Sequence, residues 1–137
     1  MTDRFVDANI LLRHLLNDHP VQSPACTGLI DAIRRGEMTA WMTDVIVAEI
    51  VYVLSGKGSY ALDRVTVRDL LLPVLTLPGL DFPGKTVIRR VFDLYVSYPI
   101  DFNDAFHAAL VETRAPAELF SYDQDFDRIP TVTRLEP

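Results

Sequence analysis

The spacing of apolar positions changes repeatedly along the chain. Arg4-Phe5-Val6 is a short run stopped by Asp7 and predicts a first strand. Ile10, Leu11, His14 and Leu15 then recur at helical spacing, and Asn17-Asp18-His19-Pro20 ends that helix. Ser23 followed by Pro24 predicts an N-cap with proline at the first helical position. That helix runs through Leu29, Ile30 and Ile33 to Gly36, a candidate C′ glycine. Met38 to Met42 predicts a second strand. Thr43 or Asp44 then caps a helix carrying Ile46, Val47, Glu49, Ile50, Val53 and Leu54, which Gly56 and Gly58 end. Helical patterns follow over Val65 to Leu75, where Pro73 is expected to kink or end the helix, and over Thr86 to Val96. Leu77 to Phe82 between them predicts an edge strand containing Pro78. Phe102 to Arg114 is helical, with Phe102, Ala105, Phe106 and Ala109 on one face. Glu118 to Tyr122 is strand-like, Asp123 to Ile129 a loop or single helical turn, and Val132 to Leu135 a final short strand.

Strands alternating with helices of this length predict an α/β fold with a mainly parallel sheet. Ligands in such sheets bind beyond the carboxyl ends of the strands, so chemistry is sought where a strand runs into a helix. The 137 residues are one domain's worth of chain, and 49% apolar composition supplies a core. Cys26 has no partner cysteine, which excludes a disulfide scaffold and fits a reducing, cytoplasmic setting. The opening residues, Met1 to Asp7, mix charges and place an acid where a leader needs an apolar run. The longest apolar stretch, Val45 to Leu54, is interrupted by Glu49 and is too short to span a bilayer, so no membrane role is expected. Net charge is −6, which disfavours a nucleic-acid binder unless the acids surround metal ions. Eleven of the 13 basic residues are arginine, the better bidentate partner for phosphate or carboxylate.

The acids carry the candidate chemistry. Asp7 ends the first predicted strand, where taken alone it reads first as a helix cap and only second as a ligand. Glu49 has Val45, Ile46, Ile50 and Val53 as helical neighbours, which sets a carboxylate within an apolar face or demands a snorkelling side chain. Asp101 and Asp104 open a helix, where acids suit the macrodipole. Asp104 also adjoins the Ala108 and Val111 line. Asp123 ends a strand as Asp7 does, and Asp125 and Asp127 follow at alternate positions without the glycine and glutamate of a calcium loop. Four gathered acids, Asp7, Glu49, Asp104 and Asp123, would repel one another without a cation. All-carboxylate ligation with no histidine or cysteine cluster selects a hard ion, Mg²⁺ or Mn²⁺. His14 and His107 have no metal-ligand spacing and read as helix-face or core-edge residues.

Phe5-Val6-Asp7-Ala8-Asn9-Ile10-Leu11 resembles the opening motif of the PIN domain. Thr43-Asp44-Val45-Ile46-Val47-Ala48-Glu49 is similar to its second motif, and Asp101 to Ala109 to its third. Ser121-Tyr122-Asp123-Gln124-Asp125-Phe126-Asp127 resembles its closing signature. The likeness runs in order from Phe5 to the end and is that of VapC-type toxins, the ribonuclease half of VapBC toxin–antitoxin modules. It implies a single domain over 1–137 with a three-layer α/β/α fold and a mostly parallel five-stranded sheet. It implies an endoribonuclease dependent on Mg²⁺ or Mn²⁺ that cleaves structured RNA, tRNA or rRNA, and is neutralised by a VapB-like antitoxin. Asp7, Glu49, Asp104 and Asp123 are then the catalytic acids. Asp7 and Asp104 would hold the principal ion, Glu49 would orient the attacking water, and Asp123 would complete the site or bind a second ion. Asn9, Thr43, Ser121 and Asp125 are supporting residues in this reading.

Arg13, Lys57, Arg89 and Arg90 are candidates for phosphate contacts or simply solvated surface, and no aromatic residue is singled out for base stacking. Apolar helix faces fit a homodimer. A haloacid-dehalogenase-like phosphotransferase would want an acid where Asn9 stands. A receiver domain would want a lysine after a late strand. The main alternative is a non-catalytic PIN-like binding module acting through a protein or RNA partner.

Overall fold

Strand β1 (Asp3–Phe5) lies parallel to β2 (Thr39–Trp41), with Phe5 opposite Trp41, and β2 lies parallel to β3 (Leu80–Asp81). Parallel neighbours require crossover connections. Here these are the helix pairs α1 (Ala8–Leu16) and α2 (Gln22–Arg34), then α3 (Asp44–Ser55) and α4 (Arg64–Leu75). The computed structural model describes residues 3–137, so the leader reading of Met1 and Thr2 lies outside the described residues. The chain divides into two compact units, Met1–Lys85 and Thr86–Pro137.

The core of the first unit is aliphatic. Leu11, Ile30, Val47, Ile50, Leu54, Val67, Leu71 and Leu80 are all fully buried. Asn17 ends α1 in the left-handed conformation, and Gly36 does the same beyond α2 at φ +75, as its C′ position requires. The start of α2 differs from expectation. Ser23 is not the N-cap; the helix begins at Gln22, and His19 Nδ1 accepts the N–H groups of Val21 and Gln22 at 3.2 and 2.9 Å. Ser23 Oγ accepts the His19 N–H in return, so the two side chains satisfy orphan donors reciprocally. Pro24 still lies in the first turn, where no N–H is needed.

Thr43 occupies the N-cap of α3 without a side-chain capping bond, and the Asp44 carboxylate instead accepts the Gly84 N–H at 2.8 Å. The buried stripe of α3 is Ile46, Val47, Ile50, Val51 and Leu54. Glu49 is therefore outside the apolar face and exposed, beside Val45 and Tyr52, which are 75% and 78% exposed. Val45 looked like a core neighbour in sequence, but it points opposite the stripe. Pro73 lies in the last turn of α4, which stops two residues later. The expected strand over 77–82 shortens to Leu80–Asp81. Lys85 donates to the carbonyls of Leu77 and Leu80, and burial lowers its pKa.

In the second unit, α5 (Ile88–Ser97) follows a 3-10 turn at Lys85–Val87 and packs on α6 (Phe102–Val111). Phe102 anchors that contact. Its ring centroid lies 5.3 Å from Phe92, 5.5 Å from Tyr95 and 6.0 Å from Phe106, in the tilted and edge-on geometries aromatic quadrupoles favour. Helix α6 stops at Val111 rather than continuing to Arg114. Glu112 is held by Arg90 through two bonds of 2.8 Å and by the Thr131 hydroxyl, and Pro116 follows. Strand β4 (Glu118–Phe120) lies parallel to β5 (Thr133–Leu135), with a 3-10 turn at Gln124–Arg128 between them.

The described residues thus hold six α-helices and five strands, paired in parallel as a three-stranded and a two-stranded sheet. The α/β class with parallel strands is borne out. No helix among the described residues is long and apolar enough to cross a membrane.

Candidate metal centre

The second unit brings three acids together. One carboxylate oxygen from each of Asp104, Asp123 and Asp125 lies within 4.8 Å of the others. Asp104 is the third residue of α6. The aromatic packing of Phe102 and Phe106 fixes the rotation of that helix and leaves Asp104 half-buried on its other side. Burial raises the Asp104 pKa, and repulsion from Asp123, Asp101 and Asp125 raises it further, with His107 acting in the opposite sense. A carboxyl pushed up by neighbouring acids is a group whose charge a cation would stabilise.

Asp123 and Asp125 are set by the turn that follows β4. Asp123 caps the turn, its Oδ1 accepting the Asp125 N–H at 2.9 Å. Ser121 Oγ accepts the Asp123 N–H at 3.0 Å. The expected supporting hydroxyl of Ser121 therefore shapes the backbone on which Asp123 stands. Buried Phe126 anchors the turn. Arg134, whose side chain is 13% exposed, laces the turn to β4 and β5. It donates to both Asp127 oxygens at 3.0 and 3.1 Å, to the Ser121 carbonyl at 3.0 Å and to Glu136 at 2.7 Å. Asp127 is thereby neutralised as a bidentate partner and held apart in role from Asp123 and Asp125. Arg128 lies 3.4 Å from Asp125, too long for a strong hydrogen bond.

The donor set suits a hard divalent ion. It offers oxygen only, and oxygens around Mg²⁺ at ~2.1 Å are at most about 4.2 Å apart, comparable with the spacing here.

The other expected site residues lie in the first unit. Asp7 follows β1, is exposed, and caps α1 through Oδ1, which accepts the Ala8 N–H at 2.7 Å. Asn9 is exposed in the first turn of α1, Thr43 stands before α3, and Glu49 is exposed on its second turn. Two of the expected phosphate contacts are already engaged: Arg13 pairs with Asp18 and Gln22, and Arg90 with Glu112. His14 Nδ1 lies 2.8 Å from Thr27 Oγ1, a core-edge contact rather than a metal-ligand pose. Sequence reasoning gave Asp125 only a minor place, although its two-residue spacing from Asp123 across a turn is the signal that it joins the cluster. Arg134 was missed, because a lone arginine in a short strand carries no motif.

No curated protein matches this sequence. The PIN domain family matches residues 4–132, which spans all four acidic motifs. Members of that family are in general metal-dependent nucleases. With nearly its whole length matched and an all-oxygen acidic cluster in place, the chain belongs to the PIN domain family.

Proposed function

We propose that this protein is an endoribonuclease of the VapC type, dependent on Mg²⁺ or Mn²⁺ and neutralised by a VapB-like antitoxin. The observation that carries the reading is the gathering of Asp104, Asp123 and Asp125 in a chain of a nuclease family. We assign Asp7, Glu49, Asp104 and Asp123 as the catalytic acids. Asp104 and Asp123 hold the cation with Asp125 beside them, Asp7 contributes a further ligand, and Glu49 orients the attacking water. Asn9, Thr43 and Ser121 are supporting residues in this reading, Ser121 through the hydrogen bond its Oγ accepts from the Asp123 N–H. When bound, the cation lowers the pKa of water and offsets charge on the phosphodiester. The chain's own part is to fix carboxylates on a helix held by aromatic packing and on a capped turn, so that little reorganisation is needed on binding.

The antitoxin supplies a basic segment, since an arginine fork pairs bidentately with carboxylates and competes with the ion. The chain acts as one domain, as a homodimer in the cytoplasm, on tRNA or rRNA. The test is cleavage of labelled tRNA and rRNA by the purified protein in Mg²⁺, in Mn²⁺ and in EDTA, beside Asp7→Asn. Discrete fragments that need both metal and Asp7 are expected. Full activity of Asp7→Asn overturns the site assignment. Absence of both cleavage and metal binding favours a non-catalytic PIN-like module.

A further inference from the structure

Lys57 is the expected phosphate contact that the fold leaves unpaired in the first unit. There Arg13, Arg34, Arg35 and Arg68 pair with carboxylates, and Lys85 donates to carbonyls. Among the described residues Lys57 makes no ion pair and no side-chain hydrogen bond. It follows α3 in the loop Gly56-Lys57-Gly58-Ser59 and is exposed. This loop and the last turn of α3 border a cavity of about 410 Å³, lined in part by Tyr52, Lys57, Gly58 and Ser59. That volume lies within the range of small-molecule sites, ~300–1,000 Å³. The Tyr52 ring stands largely exposed at its wall and, among the described residues, packs on no other ring.

The loop uses up its acceptors and leaves donors over. The Tyr52 carbonyl accepts the Gly56 N–H at 3.0 Å, the Val53 carbonyl accepts the Ser59 hydroxyl, and the Leu54 carbonyl accepts the Leu62 N–H at 2.9 Å. The carbonyls that α3 would leave orphaned at its end are thus largely satisfied, which blunts the negative end of the helix dipole. The Gly56 carbonyl accepts the N–H groups of both Ser59 and Ala61 at 3.0 Å. The turn is tight: a Cβ at Gly56 would lie 2.9 Å from the Tyr52 carbonyl and from Ser59 Oγ, and Ala61 is held in the left-handed region at φ 49. Among the described residues the backbone N–H groups of Lys57 and Gly58 donate to nothing. A Cβ built on Gly58 meets no atom within 4 Å, so there is open space beside it. Adjacent N–H groups in a turn, with an unpaired ammonium on the same residue, are a donor set for an anion. The neighbouring ring offers a flat apolar face. A ligand that joins an anionic group to a planar ring answers both, and a nucleotide is that ligand.

We propose that the cavity at Tyr52, Lys57 and Gly58 binds a nucleoside monophosphate, with its phosphate on the Lys57 ammonium and the Lys57 and Gly58 N–H groups and its base against the Tyr52 ring. A terminal phosphate carries roughly two negative charges at pH 7 and a bridging phosphodiester only one, so this donor set favours the monoester. A free mononucleotide and the phosphorylated end of an RNA present that same group. Binding here is independent of the ribonuclease reading and uses none of the residues assigned to catalysis.

The test uses the full chain in EDTA, where neither cleavage nor metal-bound phosphate contributes. AMP, GMP, CMP and UMP are titrated by calorimetry beside adenosine and inorganic phosphate, and binding is followed in backbone amide NMR spectra. At least one mononucleotide is expected to bind more tightly than adenosine and than phosphate, and to shift the Lys57 and Gly58 amide signals. Lys57→Gln is expected to weaken that binding about threefold to fivefold. Tyr52→Ala is expected to weaken it roughly 5- to 100-fold, and Tyr52→Phe, which keeps the ring, to retain it. Thermal melts check that the variants fold; if Tyr52→Ala melts lower than wild type, Tyr52→Leu decides, since it keeps bulk without a ring face. Absence of mononucleotide binding at millimolar concentration overturns the proposal. So does wild-type affinity in Lys57→Gln and Tyr52→Leu, or amide shifts confined to other residues. Short oligoribonucleotides with a phosphorylated end and with a hydroxyl end separate the two sources. Tighter binding of the phosphorylated oligomer than of the mononucleotide assigns the pocket to an RNA end, and weaker binding assigns it to the free nucleotide. Equal binding of the two oligomers shows that the phosphate is not read and overturns the proposal.

Discussion

The Asp123 carboxylate accepts the backbone N–H of Asp125 at 2.9 Å, so one acid of the cluster holds the next in position. Asp123 therefore serves both as cap and as candidate ligand. Asparagine can replace the cap but not the charge. Asp123→Asn is expected to keep the melting temperature of the metal-free protein and lose at least about tenfold in Mn²⁺ affinity, the size of one charge-assisted contact. Asp123→Ala is expected to lose the same affinity and about 1 kcal/mol of stability with the cap. Calorimetry and thermal melts of the pair separate the two roles. Equal Mn²⁺ affinity in wild type and Asp123→Asn would show that the carboxylate is no ligand.

Asp104 predicts a pH dependence. Its pKa is raised by burial first, then by Asp123, Asp101 and Asp125. The folded chain therefore holds this proton more tightly than the unfolded chain. Its contribution to stability is greatest at low pH and declines as pH rises from the unfolded value of 3.8 through the raised folded value. Asp104→Asn removes that charge, so the metal-free variant is expected to melt a few degrees above wild type at pH 7. Protons and cation compete for the same oxygens, so Mn²⁺ affinity of wild type is expected to rise from pH 5 to pH 7. Melts in EDTA and titrations at both pH values check the two signs. A lower melting temperature for Asp104→Asn in EDTA contradicts the electrostatic account.

Arg134 tests whether the turn is held from outside the cluster. Its fork reaches both oxygens of Asp127 and the carbonyl of Ser121 together. A lysine cannot reproduce that planar pattern. Arg134→Lys is expected to lower the melting temperature by several degrees and to weaken Mn²⁺ binding about threefold to tenfold, because the turn carrying Asp123 and Asp125 loosens. Unchanged Mn²⁺ affinity with a lowered melting temperature would confine Arg134 to stability.

His14 gives a second pH effect, in the first unit. Burial depresses its pKa, the Arg34 charge depresses it further, and Asp31 partly opposes both. The folded state prefers the neutral ring, so the contribution is present above the unfolded value of 6.5 and is lost as pH falls through the depressed folded value. The melting-temperature difference between wild type and His14→Gln is expected to shrink as pH is lowered from 7.5 to 5.5. A difference independent of pH rules out this titration as a source of acid sensitivity.

Local rules made much of this molecule legible from its sequence. Switches of apolar period located every strand and helix. Gly36 was readable as a C′ residue, and Asp7 as a strand-end cap, because glycine conformation and aspartate capping act over one or two residues. The order of the acidic motifs likewise pointed to an oxygen-only metal centre.

Tertiary contacts decided the rest. Glu49 faces solvent because the packing of α3 set its buried stripe over Ile46, Val47, Ile50, Val51 and Leu54, and rotation about a helix axis is fixed by neighbours. Arg90 left the list of phosphate contacts because Glu112, 22 residues away, reached it first. Asp125 joined the cluster, and Asp127 did not, because Arg134 claimed Asp127 from the next strand. Three acids of one segment, Asp123, Asp125 and Asp127, look alike in sequence. Which of them keeps a free charge depends on which cation the fold brings alongside, and that pairing is set by distance in space rather than by distance along the chain.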